Sequence, residues 1–159
     1  MKTVKTSVIV RLPVEKIWRL MRDDLPNVLS LDNISEIVEM ERTVADCGSV
    51  LTVRNWSATL PKFAQLVSNS TSIKWTDSSV WHNDRLKCDW TIAITSPLLE
   101  ENSSCVGSAT YESALAGKGT KVGLQTTLSL GIAKESNELL VGELIIANFS
   151  KVLRTISDS

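Results

Sequence analysis

Residues Lys134 to Ile156 read KESNELLVGELIIANFSKVLRTI, and this stretch sets the architecture expected of the rest. At about 100° per residue, Val141, Gly142, Ile145, Ile146, Phe149, Val152, Leu153 and Ile156 fall on one side, opposite Glu143, Ser150, Lys151 and Arg154. The spacing predicts one helix with a broad buried face. About 23 residues at ~1.5 Å each make a rod of roughly 35 Å, long enough to cross a small domain. Such a rod needs a surface to lie on, and the sequence before it is rich in strands.

Thr3 to Arg11 alternates apolar and polar residues, the period of a strand covered on one face. After Pro13 the period changes: Val14, Ile17, Trp18 and Met21 follow helical spacing, with Lys16, Arg19 and Arg22 outside. Leu25-Pro26 ends this helix or starts a second short one through Leu29 and Leu31. Ile34 to Val44 and Ser49 to Ser57 read as a hairpin across Ala45-Asp46-Cys47-Gly48, and Lys62 to Val67 as a short helix. Ile73 to Trp81 and Leu86 to Thr95 form the most aromatic hairpin, with Trp75 and Trp81 on one face. Cys105 to Leu115 and Thr120 to Leu130 pair across Ala116-Gly117-Lys118-Gly119, whose glycines lack phosphate-loop spacing.

Length and composition narrow the function. The 159 residues, 43% hydrophobic, suit a single domain spanning 1–159. Seventeen basic residues against 18 acidic ones, without long runs, give no footprint for nucleic acid. Cys47, Cys88 and Cys105 are too far apart for a CxxC motif and are expected as buried free thiols. The alternating N-terminus shows no secretion signal and no segment is long and apolar enough to span a bilayer, so a cytoplasmic protein is expected. No residue set has metal-ligand spacing, and no cofactor is expected.

The order of elements predicts an α+β fold: a seven-stranded curved antiparallel sheet gripping a long C-terminal helix, with two short helices after the first strand. This resembles the helix-grip fold of the START and birch-pollen-allergen-like superfamily along essentially the whole chain. The local anchor is a P-x-E-x-[IV]-W-x-L pattern, matched by Pro13, Glu15, Ile17, Trp18 and Leu20. Leu60-Pro61 with its short helix, followed by Trp75 and Trp90, is also similar to some lipid-binding branches, including PRELI-type lipid-transfer proteins. The resemblance implies binding of a hydrophobic small molecule, lipid or aromatic. Some members of the superfamily are aromatase/cyclases.

A helix lying on a concave sheet touches it along one line and diverges beside it, which predicts an apolar void. Its expected walls are Trp56, Trp75, Trp90, Tyr111, Leu124, Leu128, Ile145 and Phe149. A void filled solidly by tryptophans would count against a carrier. The enzymatic alternative, a cyclase or dehydratase, would use Arg54, Asp89 or Glu112 in the same space, although a solvated outer face is the expected place for these and for Gln125. His82, the sole histidine, is expected at a solvated hairpin tip. A second stripe, Leu140, Leu144 and Ala147, fits either a covering loop or a partner, including a homodimer through Leu140 and Leu144.

Overall fold

The computed structural model describes residues 2–27, 34–59, 72–95, 104–129 and 146–156. Strands β1 (Lys2–Val10), β2 (Ile34–Val44), β3 (Val50–Thr59), β4 (Ser72–His82), β5 (Lys87–Thr95), β6 (Ser104–Ala114) and β7 (Gly119–Ser129) form one antiparallel sheet in the order β1-β7-β6-β5-β4-β3-β2. Period-two patterning sets its inner face: on β3, Val50, Thr52, Arg54, Trp56 and Ala58 are buried, and the residues between them are not. The outermost strand β2 carries two bulges and Glu36, Glu39, Glu41 and Arg42, which discourage edge pairing with another chain.

Residues 146–156 form the helix α2. Ile146, Phe149, Val152, Leu153 and Ile156 are buried on it, the face expected from the periodicity; Ser150, expected on the polar side, is buried as well. The first part of the expected rod, residues 134–145, lies outside the described residues. So do the stripe of Leu140 and Leu144, the expected helix at 62–67, and Leu29 and Leu31.

Helix α1 (Val14–Arg19) starts at the Pro13 carbonyl, which accepts from the Lys16 and Ile17 amides at 3.0 and 3.1 Å. It continues as a π-turn over Leu20–Asp24 and a 3-10 turn over Leu25–Asn27. Buried Ile17, Met21 and Leu25 recur every fourth residue, a spacing that drifts about 40° per step around an α-helix; the wider π-turn absorbs the drift and keeps them facing the sheet. The carbonyls freed at that turn are capped from β3. The Arg54 guanidinium donates to the Met21 carbonyl at 2.8 Å and to that of Arg22, and to Glu39 at 3.2 Å, while only 2% exposed. The expected outer-face position of Arg54 is thus corrected: cationic hydrogen bonding to buried carbonyls holds it inside.

Two other expectations change. Cys47 is exposed on the β2–β3 turn, and only Cys88 and Cys105 are buried. The reversal before β7 is a short 3-10 turn, Leu115–Gly117, with positive φ at all three residues.

Arg54→Leu should therefore cost roughly 1–3 kcal/mol in urea unfolding, because it leaves the buried Met21 carbonyl without its donor, while Glu39 and the Arg22 carbonyl keep Arg42. A loss below about 1 kcal/mol would show that the guanidinium does not hold the π-turn to β3.

Candidate functional site

Ladder register decides which side chains meet on the inner face. Between β3 and β4, Trp56 stands opposite Trp75, Arg54 opposite Asp77 and Thr52 opposite Ser79; between β5 and β6, Trp90 stands opposite Gly107. Trp56 and Trp75 stack at 5.5 Å between ring centroids. Phe149 descends from α2 between the two hairpins, 5.8 Å from Trp56 and 5.0 Å from Trp90, and lies within 10° of parallel to the latter. Four rings thus run in series from β4 through β3 and α2 to β5. A Cβ on Gly107 would sit 2.5 Å from the Trp90 indole and 2.4 Å from the Gln125 carbonyl, so glycine is what lets this indole lie flat on β6.

Beneath these rings lies a cavity of about 10 Å³, lined among others by Met21, Trp56, Asp77, Trp90, Tyr111 and Phe149. That is room for about one water. The expected void is therefore largely filled here, by the aromatic residues expected to be its walls. Trp56, Trp90, Tyr111 and Phe149 meet around one space, and Trp75 joins through its stack on Trp56. Leu124 is buried in the core but does not line this cavity. Ile145 and the side chain of Leu128 lie outside the described residues.

Polar groups in this interior are unevenly satisfied. Of the five tryptophans, Trp18 donates its indole N–H to Asn83 at 2.9 Å and Trp81 donates to Thr52 at 2.9 Å. The indole N–H groups of Trp56, Trp75 and Trp90 are buried with no hydrogen-bond partner among the described residues. Each such donor costs about 1–3 kcal/mol until something accepts from it.

Asp77 and Ser79 are the residues that sequence reasoning missed. The signal was there: the parity that placed Trp75 and Trp81 on one face of β4 places Asp77 and Ser79 on the same face. Both are buried, and the Ser79 hydroxyl donates to the Asp77 carboxylate at 2.5 Å. Burial pushes the Asp77 carboxyl up to about 6, against the opposing pull of Ser79 and Arg54. Burial likewise raises the Cys88 thiol and the Tyr111 phenol, so both stay protonated. Asp89 and Glu112 are not part of this set. Asp89 is half-exposed on the outer side, 3.1 Å from His82 Nε2 and 3.6 Å from Lys87 Nζ, and Glu112 and Gln125 are exposed. Among the described residues no group of three His, Cys, Asp or Glu could hold a metal. None of their helices is long and apolar enough to cross a membrane.

No protein-family model matches the sequence, and no curated protein matches it. Solved structures do match. An aromatase/cyclase from a Streptomyces species superposes with a TM-score of 0.72 at 12% identity, over 99% of this chain and 92% of that one. The protein Ara h 8.0201 gives 0.64 at 15% identity, covering 99% of both chains. The shared fold is the helix-grip fold. A major latex-like protein from Panax ginseng shares it, with a TM-score of 0.64 at 10% identity over 97% of this chain and 96% of that one. At these identities the likeness concerns the helix-grip architecture alone.

The acid in this helix-grip interior has a measurable signature. An unfolded Asp titrates near 4, so the folded state holds the extra proton between about pH 4 and 6, and stability falls as pH rises through that window. Asp77→Asn should remove the slope and be more stable than the parent above pH 6, by up to roughly 3 kcal/mol in urea melts. Equal slopes in the two proteins would mean that the carboxyl is not desolvated.

Proposed function

We propose that the chain binds a hydrophobic small molecule between the concave face of the sheet and α2, with Trp56, Trp75, Trp90, Tyr111 and Phe149 as its aromatic walls. The observation that carries this reading is the set of three buried indole donors without partners beside stacked ring faces. An interior built only for stability would pair these donors, as Trp18 and Trp81 are paired. A ligand with an apolar body and an acceptor oxygen supplies both the stacking and the missing partner.

The 10 Å³ cavity holds no such molecule while Phe149 is in place. Binding therefore exchanges the Phe149 ring for the ligand, and affinity is reduced by the fraction of molecules in which the ring is displaced. A second reading is enzymatic. It is favoured by the convergence of Asp77, Ser79, Cys88 and Tyr111 on the cavity, and one of the helix-grip structures is an aromatase/cyclase. Recovery of a bound molecule unchanged favours the carrier; its conversion favours the enzyme.

Titration of the protein with acetylnaphthalene, a flat apolar body with one acceptor oxygen, followed through tryptophan fluorescence, should give a saturable change. Phe149→Ala, which removes the competing ring, should bind roughly tenfold more tightly. If neither protein binds acetylnaphthalene saturably, the carrier reading fails.

A further inference from the structure

Asp77 is buried beneath the aromatic rings, and the cation that should neutralise it is turned away. Arg54 is its direct partner across the β3–β4 ladder. Its guanidinium is instead committed to the Met21 and Arg22 carbonyls and to Glu39. Arg54 still favours the carboxylate through space but makes no hydrogen bond to it. The other titratable groups facing Asp77 are Cys88 from β5 and Tyr111 from β6, both held protonated by burial. On β4 itself, Lys74 is exposed and His82 is turned to Asp89. Among the described residues Ser79 is thus the one hydrogen-bond partner of a carboxyl that is 5% exposed.

An acid left in this state costs stability, and burial alone gives no reason to keep it. Its surroundings give one. The cavity it borders is walled by Trp56, Trp90 and Phe149, whose ring faces attract cations. A carboxylate at the end of an aromatic slot suits a protonated amine: the acid pairs with the charge, and the rings take the apolar body and stabilise the cation further. A carboxylic acid would be repelled by Asp77, and a neutral molecule would leave it unpaired.

We propose, resting on the ligand-binding reading above, that the ligand is a hydrophobic amine that also carries an acceptor oxygen for the buried indole N–H groups, whose body replaces the Phe149 ring against Trp90 and whose protonated nitrogen pairs with Asp77. Asp77 is then the residue that selects the ligand's charge, while the rings set its size and shape.

The test compares three probes of one shape: naphthylmethylamine, naphthylmethanol and naphthoic acid, titrated into the protein at about pH 7.5 by calorimetry. The amine should bind roughly tenfold or more tightly than the alcohol, and the acid most weakly. Asp77→Asn should bring the amine-to-alcohol ratio to about one. Should that variant not fold, the same ratio measured in the parent protein at about pH 5 replaces it, since Asp77 takes up a proton between the two conditions and the amine stays charged. Equal binding of amine and alcohol overturns the amine assignment and leaves the hydrophobic site standing. An amine preference that survives Asp77→Asn overturns the role of Asp77. Failure of all three probes to bind overturns the site and this inference together.

Discussion

The position of one ring, Phe149 between Trp56 and Trp90, is the constraint on which the interior depends. It is the point where α2 meets β3 and β5, and each of its aromatic contacts is worth about 0.5–1.5 kcal/mol beyond the area it buries. The stack needs supports at both ends. At one, Trp75 faces Trp56 across the ladder; at the other, Gly107 leaves the β6 backbone bare so that Trp90 can lie down on it. Without the Phe149 ring, Trp56 and Trp90 would border the space that a ligand needs.

The polar groups of the interior divide into a holding set and an idle set. Arg54, Glu39, Arg42, Asp23 and Arg22 form a chain of ion pairs and carbonyl contacts that fastens the π-turn to β2 and β3. Asn83 fastens the same helix from the other side, accepting from Trp18 and Arg22 and donating to the Gly48 carbonyl at 2.9 Å. Asp77 and three indole N–H groups are left under-partnered a few residues away. The contrast is physical: the first set stabilises the scaffold, and the second costs stability until another molecule partners it.

The sequence revealed the architecture because strands and helices have different periods. Trp75 and Trp81 on one parity of β4, the buried face of α2, and the shift to helical spacing after Pro13 all appear as expected. What it could not reveal depends on register and volume. Whether Trp90 shares a face with Trp75 follows from the β4–β5 pairing, and whether four rings fill a gap or border one depends on fractions of an ångström. Arg54 looked like a surface residue because its partners are backbone carbonyls of a turn, which carry no mark in the sequence. Asp77 was within reach of parity reasoning, but a carboxylate between two tryptophans reads as solvated until its strand is known to be central.

The most direct test of the Phe149 wedge is the indole region of a proton–nitrogen correlation spectrum, assigned by single Trp→Phe variants. Trp18 and Trp81 should resonate as hydrogen-bonded indoles, and Trp56, Trp75 and Trp90 upfield of them, with slow exchange for all three. Phe149→Ala should move the Trp56 and Trp90 signals and leave those of Trp18 and Trp81 in place. Signals that are alike in all five indoles, or that do not respond when the ring is removed, would contradict the account.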